Sequence, residues 1–479
     1  MSNQPLPSPA EDFSAWYNDI VYRADLCEQS PVRGCIIIKP YGYEVWEGIK
    51  GALDMRFKAT GHVNAYFPLF IPMSYLQREA EHVEGFSPEL AVVTIGGGET
   101  LAEPLVVRPT SETIIGEAFA KWIQSYRDLP LLMNQWANVV RWELRTRPFL
   151  RTAEFLWQEG HTAHATHDEA EAETLQMLDV YADVAVNVCA IPVIKGLKAE
   201  SEKFAGALRT YSIEAMMGDK KALQSGTSHN LGQNFAKAFN IQYLDRNNQL
   251  QHCWTTSWGL STRMVGAVIM THGDEKGLRL PPKLAPYQVV IVPIFKTDDE
   301  KSAVMAAVET ITKQLISAGI RIWVDRREDL SPGYKYNDWE MRGVPLRLEV
   351  GPKDVANSVV MAARRDMGKE GKRSLPQENL ATSVGALLDE IQANLLAQAT
   401  AFRDANIADV KTYDELRQVV EAGGFARGWY AGDSADDKRI KNDTQATHRC
   451  FPLEQPDGSG ECLLTGGRAE KVALFAKAY

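Results

Sequence analysis

Four arginines, Arg141, Arg145, Arg147 and Arg151, crowd the stretch VVRWELRTRPFLRTAEFLWQEGH, Val139 to His161, with Glu143, Glu154 and Glu159 among them. Arginine offers a rigid planar fork that matches a phosphate or carboxylate, and a carboxylate can accept from an amine. Arg141 and Glu143 stand two apart, so on a strand they would project from one face. Both ends of the stretch alternate apolar and polar residues, so it reads as a β-hairpin. Phe155 falls on the return strand, where it could stack on a base. The plainer alternative is a solvated hairpin laced with exposed ion pairs, which are worth little. A second place weighs against that alternative. In WGLSTRMVG, Arg263 follows Gly259 by four residues, in the first turn of a predicted helix whose next turns are apolar. If buried there, it needs an anionic partner; otherwise it snorkels to solvent. The chain has no Walker loop and no GxGxxG after a strand, so a nucleotide would have to be held mainly by side chains.

The elements that must position these residues can be read from periodicity. Residues 11–30 read as an opening helix, and GCIIIKP as a short strand. YGYEVWEGIKGALDMRFKATG is a helix stopped by Gly61. HVNAYFPLFIP is a strand whose Pro68 and Pro72 cannot donate to a ladder, which predicts an edge. IGGGE marks a hairpin tip. Thr166 and Glu169 form a capping box ahead of a long amphipathic helix. QLQHCWTTSWGLSTRMVGAVIMTHG is a strand running into a helix. The lack of regular βαβ alternation indicates an α+β fold. A Pro-rich break, RLPPKLAPYQ, separates this block from QVVIVPI, a helix capped by Thr297 and Glu300, RIWVD, a helix through YNDWEMRG, and PLRLEV, which together make a small α/β unit. A third block begins near residue 405. The boundaries drawn are 1–283, 284–404 and 405–479.

The length of 479 residues accommodates such a division, and 45% hydrophobic with 24% charged residues is ordinary globular composition. A net charge of -10 argues against bulk polyanion binding but leaves room for a local basic face. The cysteines are scattered, without a CxxC pair, which fits reduced thiols. No apolar run is long enough to span a membrane, and the polar, Pro-rich start lacks the pattern of a signal peptide, so the expected location is cytoplasmic. His161, His164 and His167 recur at every third residue, but strand neighbours three apart face opposite ways, which disfavours a metal site.

These motifs, in this order, resemble the class II aminoacyl-tRNA synthetases. The helix and strand ending at Pro68, the Arg-x-Glu of Arg141 and Glu143 followed by Arg151 and Phe155, and the Gly-x-x-x-Arg of Gly259 and Arg263 match that class in turn. RPTSETII, FLWQEGHTAH, SGTSHNLGQNFAKAF and TSWGLSTR resemble the prolyl-tRNA synthetases, closest to the archaeal and eukaryotic type, and the likeness reaches the final FAKAY. The resemblance implies an antiparallel-sheet catalytic domain, an α/β anticodon-binding domain and a small C-terminal α/β domain. It implies that proline and ATP form prolyl-adenylate and pyrophosphate, with Mg²⁺, and that the prolyl group passes to the 3′ end of the tRNA. A homodimer is also implied.

Residue by residue, the resemblance assigns Arg141 to the α-phosphate and the proline carboxylate, Glu143 and Arg151 to positioning the nucleotide, Phe155 to adenine, and Arg263 to the γ-phosphate. Gln224, Thr227 and Ser261 would line the nucleotide site. Thr110 and Glu112, with Trp157, Glu159, His161, His229 and Ser257, would form the proline pocket. Glu340 and Arg347 would read guanines of the anticodon, within a unit that also carries Arg321, Arg326, Arg327, Lys335, Arg342 and Lys353. Relatives often hold zinc with four C-terminal cysteines. Here Cys462 remains, with Ala431, Asp436 and Thr465 at the other positions, so structural zinc is not expected. The span from His161 to Gly259 leaves no room for an added hydrolytic domain.

Overall fold

Why the arginine-rich hairpin holds a fixed shape is clear from its neighbours in the sheet. In a computed structural model that describes residues 5–76 and 90–479, strands Leu131–Val140 and Glu154–His164 pair antiparallel, with Val139 opposite Phe155 and Gln135 opposite Glu159. Strand Glu154–His164 pairs in turn with Trp254–Ser261, then come Ala222–Gly232, Arg209–Met216 and Val193–Leu197, all antiparallel. The first strand ends at Val140, so Arg141 and Glu143 lie in the connecting loop and not on the strand expected for them.

Helix His167–Asn187 packs on this sheet. Its start is the expected capping box: Thr166 Oγ1 accepts from the Glu169 amide at 3.2 Å, and Glu169 Oε2 accepts from the Thr166 amide at 3.2 Å. Its buried side, including Met177, Leu178, Tyr181 and Val184, joins Phe57 and Trp258 in the largest core. Trp258 lies over Gly160, where a Cβ would collide with the indole; only glycine lets the two strands and the ring meet. Helix Pro40–Ala59 contributes Val45, Trp46, Ile49 and Leu53 to the same core and ends before Gly61 at φ 89°.

Several expectations are adjusted. The opening helix covers only Phe13–Arg23; Asp25, at φ 66°, turns the chain into strand Cys27–Gln29, which pairs with Ile36–Ile38. The proline-bearing strand is two short ones. Val63–Asn64 forms the outer edge beside Leu131–Val140, and Phe70–Pro72 forms an edge of a three-stranded sheet, so Pro68 sits between them. Gly97 and Gly98, both at positive φ, make the hairpin tip in that sheet. The second capping box is half formed: Thr297 Oγ1 accepts from the Glu300 amide, but the Glu300 carboxylate accepts from Lys296.

The α/β unit has the strand order Ile322–Val324, Val289–Pro293, Leu346–Val350, parallel, followed by Val359–Arg364 and Lys372–Pro376, antiparallel. Val289–Pro293 is buried throughout, as an apolar run between parallel neighbours should be. The C-terminal strands do not form an isolated sheet. Phe451 and Pro452 pair with Leu197 and Gly196, so the main sheet continues into them and reaches 11 strands among the described residues. Cys450 fills the space a Cβ on Gly196 would need.

Candidate functional site

The main sheet opens on one side into a cavity of about 290 Å³. Strand register orders its lining: Phe155, Ser261 and Gln224 lie toward Arg263, and His161, Ser257 and His229 toward the other end, while Arg141 enters between them beside Trp157, Glu112 and Glu159, and Thr110 and Thr227 complete the wall. The loop and helix ends supply the charge. Arg141 leaves the sheet edge with its amide bonded to the Ala153 carbonyl at 2.8 Å. Its Nε donates to the Pro109 carbonyl at 3.0 Å, and its guanidinium lies 5.6 Å from the Phe155 ring centre and 5.4 Å from that of Trp157. The fork is therefore held from behind while its outer edge opens into the cavity. Protein packed around it lowers its pKa, opposed by Glu112, Glu159 and Glu143.

Arg263 begins helix Arg263–His272. Its Nε donates to the Leu150 carbonyl at 3.2 Å and its Nη1 to the Gln224 carbonyl at 3.4 Å. Among the described residues no carboxylate forms an ion pair with it; the nearby Glu143 meets Arg151 instead. Burial lowers its pKa to about 10, and the positive charges of Arg151, Arg141 and Arg449 add to the effect. Glu143 opposes them more weakly, so a cation so placed fits a polyanion. Glu143 and Arg151 do not line the cavity; they stand in the loop beside it, with Arg151 Nε 3.8 Å from Glu143 Oε1.

The opposite end is acidic and tightly bonded. Glu159 is 2% exposed. Its carboxylate accepts from the Ser111 hydroxyl and amide, from Gln135 Nε2 at 2.9 Å, and pairs with His161 Nε2 at 3.0 Å. Burial alone would raise the Glu159 pKa, but His161, Ser111 and Gln135 hold it below the ordinary value. Burial disfavours the protonated form of His161, yet Glu159 outweighs it and raises its pKa. Thr110 donates to Glu112. His229 is different: burial, then the charge of His161, takes its pKa down to about 3, so it is a neutral imidazole, bonded through Nδ1 to Thr210 at 3.0 Å. Trp157 Nε1 and Ser257 Oγ are buried without a hydrogen-bond partner. Both belong to cavity-lining residues, and a polar ligand would satisfy them.

Sequence reasoning missed Gln135, Ser111, Thr210, Phe204 and Glu202. Gln135 could have been found only from the hairpin register, which places it opposite Glu159. Ser111 lies inside the quoted TSE triplet. Phe204, whose ring centre is 4.7 Å from that of His229, and Glu202, both lining the cavity, carry no sequence signal. Of the three spaced histidines, only His161 lines the cavity; His164 bonds Thr162 on the neighbouring position, and His167 caps toward Asp168.

Glu340 and Arg347 meet in the α/β unit, 3.3 Å apart, beside a small cavity that both line. Arg347 also pairs with Glu349 at 3.1 Å and lies 4.0 Å from the Tyr336 ring centre. The rest of the basic set is largely committed to the protein itself. Arg321 donates to the carbonyls of Ala285 and Pro282, Lys335 is buried near Asp325, Arg326 pairs with Glu309, Arg327 with Asp325 and Asp338, and Arg342 with Asp25 and Asp338. Lys353 is exposed. In the C-terminal part, Ala431 donates its amide to Cys462 Sγ at 3.3 Å, Asp436 closes a helix capping box with Asp433, and among the described residues no group of three His, Cys, Asp or Glu converges as metal ligands would.

An antiparallel sheet whose hairpin loop delivers Arg141 and whose last strand runs into a helix begun by Arg263 defines a class II aminoacyl-tRNA synthetase core. Comparison with known families agrees: the tRNA synthetase class II core domain (G, H, P, S and T) matches residues 98–272, the anticodon binding domain residues 288–387, and the prolyl-tRNA synthetase C-terminal domain residues 413–479. The chain is 60% identical over 482 residues to a proline--tRNA ligase of Chloroflexus aurantiacus, covering 100% of both. It is 56% identical to the chloroplastic/mitochondrial proline--tRNA ligase of Arabidopsis thaliana, covering 100% of this chain and 89% of that one. Among solved structures, prolyl-tRNA synthetase from Cryptosporidium parvum, complexed with halofuginone and AMPPNP, superposes with a TM-score of 0.93 at 41% identity, over 99% of each chain. The chain belongs to the proline--tRNA ligase family.

Proposed function

We infer that this chain joins proline to tRNA: it activates proline with ATP to prolyl-adenylate and pyrophosphate, then transfers the prolyl group to the 3′-terminal ribose. The observation that carries the reading is that one cavity is lined both by two arginines, Arg141 and Arg263, and by two buried carboxylates, Glu112 and Glu159. Proline is a small zwitterion. Its cationic imino group suits Glu112 and Glu159, its ring suits the face of Trp157, and its carboxylate points toward Arg141. The neutral His229 adds a polar wall without adding positive charge near the imino group.

ATP occupies the other end in this reading. Phe155 stacks on adenine, Gln224, Thr227 and Ser261 face the nucleotide, Arg141 meets the α-phosphate and Arg263 the γ-phosphate, with Glu143 and Arg151 positioning from the loop. The proline carboxylate attacks the α-phosphorus in line, the bond to the β-phosphate oxygen breaks, and pyrophosphate leaves. The protein's part is orientation and electrostatic stabilisation of spreading negative charge. Arg141 is placed to hold both reactants, because one fork can face the carboxylate and the α-phosphate together. No protein nucleophile is needed. Mg²⁺ typically binds through one or two carboxylates, phosphates and water. Glu143, half exposed and only loosely approached by Arg151 at 3.8 Å, is the carboxylate that fits that role; the ion would neutralise phosphate charge.

Glu340 and Arg347, side by side, suit guanine edges, the carboxylate accepting from N–H groups and the guanidinium donating to O6 and N7. The division of labour follows the boundaries 1–283, 284–404 and 405–479. A cytoplasmic homodimer belongs to the same reading and is carried by the family resemblance alone; among the described residues no helix is long and apolar enough to cross a membrane. The test is ATP–pyrophosphate exchange with each amino acid in turn. Exchange driven by proline supports the reading. Exchange driven by threonine or glycine instead, or by none while tRNA still binds, would refute it.

A further inference from the structure

The strand Ala222–Gly232 presents a puzzle of period. Gln224 and Thr227 are three apart, so a regular strand would send them to opposite faces, yet Thr227 pairs with Ser212 and Gln224 with Glu214, two residues apart on the neighbouring strand and so on one face. The register explains it. Ile213 pairs with Gly226, but Glu214 pairs with Gln224, leaving Ser225 as an extra residue in a β-bulge. The bulge slips the register by one and turns Gln224 onto the face of Thr227. It also sets the Gln224 carbonyl that accepts from Arg263 Nη1.

What fixes the bulge comes from far along the chain. Glu214, directly opposite Gln224, is fully buried. Its Oε2 accepts from Arg449 Nε at 3.0 Å and Nη2 at 2.9 Å, and its Oε1 accepts from the Ser212 hydroxyl at 2.8 Å. Arg449 is itself 6% exposed and is the extra residue of a second bulge: His448 pairs with Phe475 and Cys450 with Leu474. Its Nη1 donates to Thr447 Oγ1 at 2.8 Å. The two bulges, one in Ala222–Gly232 and one in the strand of Arg449, are thus linked through Glu214 by a buried charge cluster that also holds Lys198, its Nζ 3.8 Å from Glu214 Oε1. The charge of Arg449 is also one of those that reach Arg263.

We propose that Arg449 is a positioning residue for nucleotide activation: through Glu214 it holds the bulge at Ser225 that aims Gln224 and Thr227 into the cavity and keeps the Gln224 carbonyl on Arg263. The proposal rests on the assignment of that end of the cavity to ATP. Arg449 does not touch the reactants, so its loss acts on the nucleotide end and leaves the proline end, with its own bonds through Ser111, Gln135 and Thr210, in place.

The experiment measures proline-dependent ATP–pyrophosphate exchange for the full chain, for Arg449→Lys, and for Glu214→Gln/Arg449→Met. Glu214 also faces the buried Lys198, so the double variant takes one charge of each sign from the cluster and leaves Lys198 with the charge of Glu202; a melting curve of each variant checks the fold. The expected result for the double variant is at least a tenfold rise in the KM for ATP or a tenfold fall in kcat, with the KM for proline within threefold of the parent. Arg449→Lys, which can still reach Glu214, should recover part of the loss. ATP parameters within threefold of the parent in the double variant would overturn the proposal, and so would equal rises in both KM values. A parent chain without proline-dependent exchange would instead fail the reading of the cavity and take the proposal with it.

Discussion

Arg141→Lys separates the two jobs an arginine can do in this cavity. In the free protein the guanidinium donates Nε–H to the Pro109 carbonyl at 3.0 Å and sits over Phe155 and Trp157. A hydrogen bond of this kind contributes about 1 kcal/mol net, and an exposed cation–π contact about 0.5–1 kcal/mol. These contacts exist before substrate arrives, and lysine keeps the charge, so the cost to folding is small. The larger loss comes in the transition state. Lysine is a point charge that cannot bridge the proline carboxylate and the α-phosphate as a planar fork does. Removing one preorganised donor to a developing negative charge typically lowers kcat by about 10²–10³-fold, or about 3–4 kcal/mol. Proline-dependent exchange should therefore fall by at least about 10²-fold while the melting temperature stays within a few degrees. Exchange within a few-fold of the parent would refute the assigned role, and a large drop in melting temperature would mean that the Pro109 bond mattered more than the fork.

Other outcomes follow from the same geometry. Glu159→Gln should lower the pKa of His161 from above the ordinary 6.5 to below it, because burial, the largest effect, is then opposed only by Glu112; an NMR titration that does not move would refute the coupling. In the parent, the stabilisation from protonated His161 is fully present below about pH 6.5 and is lost as pH rises through its raised folded value, so a melting temperature independent of pH above 6.5 in parent and Glu159→Gln alike would deny it. Deleting Tyr479 should lower exchange activity: its hydroxyl donates to Asp219 at 2.7 Å and its amide to the Ala222 carbonyl at 3.1 Å, at the start of the strand that carries Gln224; unchanged kinetics would make the terminus a passive anchor. Elemental analysis of pure protein should find no stoichiometric zinc, since Cys462 is the single thiol at the four compared positions; a full, chelator-resistant equivalent would show other ligands at work. Alanine fits inside a proline pocket; one missing methylene is worth only about 1–3 kcal/mol of discrimination and the two that alanine lacks give more without excluding it, so alanine-driven exchange should be measurable and pre-formed alanyl-tRNA should survive incubation with the protein. Its rapid deacylation would overturn that prediction.

The arginine hairpin and the Gly259–Arg263 turn were legible because each combines a strong local pattern with an unusual side chain. Periodicity located the strands, and the family resemblance supplied the roles that periodicity could not. Thr166 with Glu169 was equally plain, since a capping box is local chemistry. What could not be read depends on contacts between distant segments. Gln135 enters the site only because the hairpin register sets it opposite Glu159. The basic residues Arg321, Lys335 and Arg342 looked like an RNA surface, yet bonds to Ala285, Asp325 and Asp25 occupy them, and nothing in their spacing foretold those partners.

The bulge at Ser225 marks where sequence reading reaches its limit for a physical reason. Side chains alternate with period two along a strand, so one inserted residue exchanges the faces of everything beyond it. The resemblance assigns Gln224 and Thr227 to the nucleotide site, and a spacing of three would put them on opposite faces of a regular strand. They share a face because Glu214 pairs with Gln224 and Ile213 with Gly226. The pairing is in turn held by Arg449, which lies 235 residues from Glu214 in sequence and approaches through a bulge of its own. A local pattern can state which residues are chemically suited to a nucleotide; the face they present depends on a buried charge pair closed only when the C-terminal strands join the sheet through Phe451 and Leu197.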